Sequence, residues 1–338
     1  MRLLLAFLGF LFGASVWSCR DTLAPKSDSG WSRLDLYSDH FEKISVTDST
    51  LVVSTGVFGV YQQTPSYAGG WSFKGLAFLD RQFIDFKIGV RSATCVSGGG
   101  LLAGIHPGLE DTATVYLLDP RDGMWRPRSQ GLLRRTVYDL EEVEPGNYVA
   151  ATSDGVFRTS DEGAHWLRVF AMTSALGATL FQAGDRIYGG GQTLNENPFL
   201  IMSADGGRQW RGITLTGVTL HGGPEQVVLS IAANEADSSA LFIATDRYAF
   251  RREGASGAFV PIRKSSRFGT IHVDPGDAKH LVVSAESVSV STDQGNTWKS
   301  VPFPGALIGR GTVDWNHNRL LVPILESDGG MLYSYELP

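Results

Sequence analysis

Short apolar runs alternating with polar positions, separated by glycine-rich turns, fill the chain from residue 31 onward. They come in pairs: LVVST at 51–55 with VFGVY at 57–61, YVAAT at 148–152 with GVFR at 155–158, and LVVS at 281–284 with SVSV at 287–290. A period of two, bounded by Gly, Asn, Asp and Pro, is the signature of β-strands joined as hairpins. A third run precedes such pairs, as in TVYDL at 136–140, TIHVD at 270–274 and TVDW at 312–315. Each of these leads into a turn carrying Pro145-Gly146, Pro275-Gly276 or Asn316 with Asn318. No long stretch with a helical period interrupts the series, so the chain reads as all-β.

Three segments share the pattern S/T-x-D-x-G-x-x-W: TSDEGAHW at 159–166, SADGGRQW at 203–210 and STDQGNTW at 291–298. The hydroxyls of Thr159, Ser203 and Ser291 and the carboxylates of Asp161, Asp205 and Asp293 suit the backbone N–H groups of a turn. Gly163, Gly207 and Gly295 permit positive φ, and Trp166, Trp210 and Trp298 open the next strand with a large apolar group. These residues are therefore structural in role. Weaker copies place further anchors at Trp31, Trp71, Trp125 and Phe259, so that anchors recur every 39 to 54 residues.

The repeat resembles the Asp-box of the sialidase-type BNR repeat, and that resemblance implies a β-propeller of four-stranded antiparallel blades. Residues 304–338 supply three strands and no anchor, whereas Trp31–Leu36 is a single strand without a hairpin partner. Pairing the two closes a single seven-bladed ring over residues 31–338, about 44 residues per blade, and removes the exposed edges that would otherwise invite aggregation. A six-bladed ring with an irregular N-terminus is the rival.

Composition adds the class and the address. Charged residues are only 19% of the chain and eight are Trp, which argues against disorder, and a net charge of -6 removes the attraction that nonspecific nucleic-acid binding needs. Residues 1–18 read as an export signal, with Arg2 ahead of the apolar run Leu3–Phe12. VWSC at 16–19 resembles the bacterial lipobox, although Trp17 departs from it, and the resemblance implies lipid on Cys19. Ordinary cleavage near Ser18 is the alternative. Residues 20–30 read as a tether. Cys95 is then the one thiol left to the exported domain, read as a small buried hydrophobe.

The repeat turns join strands c and d on one face, so the d-to-a and b-to-c connections on the other face are the candidate binding surface. That face receives the lengthened segments 76–85, 105–112, 190–198 and 215–226. Arg134, Arg135, Arg267 and Arg310 stand at entries to inner strands and are expected to converge on the channel mouth, where guanidiniums suit a carboxylate or acidic peptide. Pairing with Asp39, Asp154 or Glu286 is the plainer reading. His106, His221, Glu196 and Arg247 complete the candidate binding set. The chain lacks the Arg motif of working sialidases, since VPIR at 260–263 is reversed and misplaced. Asp80, Asp85, Glu110, Asp111, Glu196 and Glu225 offer carboxylates for glycoside hydrolysis, but no spacing selects a pair. No metal-ligand spacing or phosphate loop occurs, and no cofactor is expected.

The expected function is that of a non-catalytic, monomeric lipoprotein of the bacterial cell envelope. It is membrane-anchored through Cys19 and presents its loop face to an envelope protein or glycan. A single propeller behind a lipobox also looks like the photosystem II assembly factors. A sialidase-like glycoside hydrolase is the alternative.

Overall fold

The computed structural model describes residues 30–338 except 39, 49, 65–66, 68, 78–88, 108–112, 173–175, 194, 196, 219–226, 235–239, 255–256, 266–268, 303–304, 308–309 and 328. The lipidation and export readings at residues 1–29, Cys19 included, lie outside the described residues.

Seven antiparallel sheets form a closed propeller, with strands lettered a to d from the axis outward. Blade 1 comprises Lys43–Thr47, Thr50–Ser54, Val60–Gln63 and Ser72–Gly75. Blade 2 runs Gly89–Val96, Gly100–His106, Val115–Asp119 and Met124–Pro127. Blade 3 is Val137–Glu144, Asn147–Thr152, Gly155–Thr159 and Leu167–Ala171. In blade 4 the strands are Leu176–Ala183, Arg186–Gln192, Pro198–Ser203 and Arg211–Gly212. Blade 5 contains Ser230–Ala233, Leu241–Ala244, Tyr248–Arg252 and Phe259–Lys264. Blade 6 contains Thr270–Val273, Leu281–Ser284, Val288–Ser291 and Lys299–Val301.

Blade 7 departs from this plan twice. Its outer strand is the N-terminal Trp31–Tyr37, paired with strand c, Gly329–Glu336, as the strand count along the sequence requires. Its inner strand is split into Ala306–Leu307 and Thr312–Asp314, both paired with strand b, Arg319–Glu326. Neither half pairs with Val322 or Pro323, and Pro323 has no N–H to give.

The hydrophobic core is a ring of inter-blade layers. Val282, Val288 and Val290 of blade 6 pack on Trp31, Leu320 and Val322 of blade 7, and Leu34, Leu36 and Leu332 of blade 7 pack on Ile44, Leu51 and Val53 of blade 1. Strand side chains alternate in direction, so each blade fills one layer with odd positions and the next with even ones. This is why the strands are apolar on both faces.

The anchor tryptophans do more than fill space. Their indole N–H groups donate to a carbonyl of the preceding blade: Trp31 to Pro302, Trp71 to Leu34, Trp125 to Lys74, Trp166 to Arg128 and Trp298 to Ile262, at 2.5–3.1 Å. A polar handle on a large apolar ring thus pins neighbouring blades together. Trp210 instead donates to Gly207 of its own turn, and Phe259 has no such donor.

The three repeat turns have a common geometry. Each hydroxyl donates to the Asp two residues on, at 2.7–2.8 Å, and accepts the N–H of the Gly four residues on, at 2.8–3.1 Å. The Asp oxygens then accept the N–H of His165, Gln209 or Thr297. The His165 N–H, followed by the Thr159 hydroxyl, lowers the Asp161 carboxyl to about 2. Glycine is required at the fifth position because φ is near +80° and because a Cβ at Gly207 or Gly295 would lie 2.6 Å or 2.7 Å from Val149 or Ile262 of the preceding blade.

Candidate functional site

A radial sheet leaves the inner edge of strand a facing the channel, where unpaired backbone groups need partners. Side chains from the neighbouring blade supply several. Ser45 donates to the Ala93 carbonyl, Asp139 accepts the Leu180 N–H, and Ser230 both accepts the Ile271 N–H and donates to its carbonyl. Asp139 and Ser230 belong to a row of polar residues, one on each inner strand: Lys43, Ser92, Asp139, Thr179, Ser230, Thr270 and Thr312. Five are small hydroxyl residues. Lys43 and Asp139 are the exceptions, and they meet.

Lys43 Nζ lies 2.5 Å from Asp139 and 3.0 Å from Glu141, spanning blades 1 and 3, while Ser92 of blade 2 also donates to Asp139 at 3.0 Å. Arg91 pairs with Glu42 at 2.6 Å. Burial acts to lower the Lys43 ammonium, but Asp139 and Glu141 together outweigh it and hold the group protonated. Burial pushes the Glu141 carboxyl upward, and Lys43 opposes it. Beside this network is a cavity of about 320 Å³, also lined by His272, Thr312 and Arg310. Burial lowers the His272 imidazole to about 4, so it is neutral near pH 7, and its Nε2 lies 3.0 Å from the Thr270 hydroxyl.

Among the described residues, the arginines expected at the channel mouth, Arg134, Arg135 and Arg310, do not form one cluster. Arg135 is drawn to Asp154 at 2.9 Å and stacks over Phe157, so the plainer pairing anticipated for it is the one found. Arg134 is exposed in a left-handed backbone conformation, φ 62°. Arg310 lies inside the channel, and Arg267 lies outside the described residues. His106 sits at the end of strand b of blade 2, 2.6 Å from the Thr136 hydroxyl, and Arg247 in the b-to-c turn of blade 5 pairs with Asp246 at 3.5 Å. His221 and Glu196 lie outside the described residues, as do Asp80, Asp85, Glu110, Asp111 and Glu225. Among the described residues no group of His, Cys, Asp and Glu has the geometry of a metal site.

Sequence reasoning missed Lys43, Asp139, Glu141, Glu42, Arg91 and His272. The available signal was an alignment of inner strands, in which Lys43 and Asp139 break a row of hydroxyl residues.

Asp139 and Glu141 are not arranged as a hydrolytic pair. A glycosidase needs one carboxyl free to give a proton and a second free to attack or to activate water. Asp139 and Glu141 are both held on one ammonium, and Asp139 is further committed to Ser92 and Leu180.

The sequence matches no family model, and no curated protein matches it. Many solved structures share the fold. YCF48 bound to a D1 peptide superposes with a TM-score of 0.65 at 14% identity, over 94% of this chain and 100% of that one. The GH74 xyloglucanase of Xanthomonas campestris gives 0.62 at 15% identity, over 91% of this chain and 53% of that one. The extracellular domain of BT4673 from B. thetaiotaomicron gives 0.65 at 10% identity, over 90% and 39%. At these identities the likeness establishes the fold alone: a seven-bladed propeller closed by its N-terminal strand.

Proposed function

We propose that the protein is a non-catalytic binding propeller of the cell envelope, tethered by lipid on Cys19, whose d-to-a and b-to-c loop face holds a protein or glycan partner. The observation that carries this reading is a rigid loop that displays an apolar and a cationic side chain. Between blades 2 and 3, Leu132 is fully buried, while Leu133 is 48% exposed and Arg134 is exposed beside it. The loop is pinned on every side. The Ser129 hydroxyl accepts the Thr114 and Val115 N–H groups, Gln130 accepts the Trp166 N–H, and Arg135 is fixed on Asp154. Gly131 at φ 93° lies so close to the Trp166 carbonyl that any side chain there would clash.

A non-glycine residue at positive φ costs about 1–3 kcal/mol and tends to persist where display matters. The fold is also that of a propeller solved with a peptide bound. The second reading, glycoside hydrolysis, draws on the xyloglucanase likeness, and its candidate acids lie outside the described residues.

In capture from solubilised envelope, Arg134→Glu is expected to weaken partner retention by about three- to tenfold at low salt, with the difference fading near 0.5 M as screening removes it. Asp205→Ala, a turn change on the other face, should lower the melting temperature and leave capture intact. Release of sugar from a generic sialoside would overturn the binding reading in favour of hydrolysis. The tether has its own check. Cys19→Ala should move the protein from the detergent to the soluble fraction, because the multiple chains of a lipoprotein are what hold it there. Unchanged partitioning would remove the lipid from the picture.

A further inference from the structure

Arg310 stands in the gap between the two halves of the blade 7 inner strand, which pair with strand b on either side of Val322 and Pro323. Pro323 has no N–H to offer the inner strand. Gly311 presses so closely on strand b that a Cβ would meet Val322 at 2.6 Å and the Leu321 carbonyl at 2.9 Å. The backbone is thus tight against the blade on one side of the break, and Arg310 lines the channel cavity.

Arg310 makes no hydrogen bond or ion pair with any described residue. Its acidic neighbours are engaged elsewhere, Asp139 by Lys43, Ser92 and Leu180, and Glu42 by Arg91. Burial disfavours the charge, with Asp139 and Glu42 only partly offsetting it. A partly buried guanidinium to which the described residues give no hydrogen bond has donors to offer into the cavity. A ligand that supplies acceptors there gains charge-assisted hydrogen bonds.

The rest of the lining indicates which ligand. The other charged groups are Lys43 and Arg91 against Glu42, Asp139 and Glu141, so Arg310 brings the lining to neutrality. A monoanion on Arg310 is tolerable there, whereas a dianion would face Asp139 and Glu42. The guanidinium fork matches two oxygens in one plane, and Thr312 lines the same cavity. A volume of about 320 Å³ admits a small organic acid. We propose that the channel contains a binding site for a planar monovalent oxyanion, foremost the carboxylate of a small organic acid, seated on Arg310. This site is separate from the loop face and stands whether or not that face holds a partner.

The test uses the full-length chain at constant ionic strength, with sodium acetate, nitrate and phosphate compared against chloride by melting temperature and calorimetry. Acetate is expected to stabilise the protein saturably with a Kd on the order of a millimolar, as suits one bidentate contact, and phosphate is expected to add nothing beyond chloride. Arg310→Gln should abolish the acetate response while remaining folded in chloride. Arg310→Lys should respond at least tenfold more weakly, and it serves as the readout should the Gln variant fail to fold. A response to nitrate without acetate would overturn the assignment to organic acids. An equal acetate response in wild type and Arg310→Gln, or no saturable response at all, would overturn the site itself.

Discussion

A chain lacking residues 1–38 is expected to lose its cooperative melt and aggregate, whereas one lacking only 1–29 should melt like the intact protein. The difference is a single strand, Trp31–Tyr37, which supplies the outer edge of blade 7. Trp31 is 1% exposed, donates to the Pro302 carbonyl at 2.5 Å and packs on the Tyr335 ring with centroids 4.9 Å apart. Leu34 and Leu36 are buried in the layer shared with blade 1. Truncating a buried Trp alone costs about 3–5 kcal/mol, against a total stability of about 5–15 kcal/mol for a typical domain. Removing the strand also bares the edge of Gly329–Glu336, an invitation to intermolecular pairing. Trp31→Ala in the intact chain should show the packing part by itself, as a fall of several degrees in melting temperature. Equal melting of the two truncated chains would rule out this strand as the closure that stabilises the ring.

Replacing Lys43 by Met is expected to be the most damaging point change in the channel. Met matches the length of the Lys stem, so the loss is the charge, and buried Asp139 and half-buried Glu141 are left without a counter-ion. Breaking a buried pair in this way costs about 3–5 kcal/mol. The pH dependence separates this cause from lost packing. Burial already pushes the Glu141 carboxyl upward and Lys43 opposes it, so without Lys43 that group rises further above its unfolded value and the folded variant gains more stability than the wild type as pH falls from about 7 toward 4. His272 is depressed to about 4 in the folded state against an ordinary 6.5, so its contribution is present above 6.5 and is lost as pH falls through that window, equally in wild type and variant, and it cancels in their comparison. The stability gap between wild type and Lys43→Met should therefore narrow between pH 7.5 and pH 5 in denaturant titrations. A gap that stays constant would assign the effect to packing instead.

The blade count, the closure and the structural role of the repeat turns were legible in the chain because each rests on local patterning. Thr159, Asp161, Gly163 and Trp166 lie within eight residues, and their turn needs only its own backbone to form. The outer strand could be assigned by counting, since a blade with three strands and a strand with no blade have one economical solution. The inter-blade use of the Trp indoles was only half visible, as the ring announced itself by its period while its acceptor belongs to another repeat.

The site is a different matter. Lys43 and Asp139 are 96 residues apart and two blades removed, and each reads as an ordinary surface charge until the ring brings them across the channel. The four arginines looked alike as entries to inner strands. Folding separated the described three by the local facts of each blade: Asp154 beside Arg135, a left-handed backbone under Arg134, and a break in the inner strand at Arg310. Periodic local chemistry was enough to determine strands, turns and ring. Which charges are neutralised, and which one is left facing the cavity, was decided only by tertiary closure, because a charge acquires its cost and its partner from what the fold places around it.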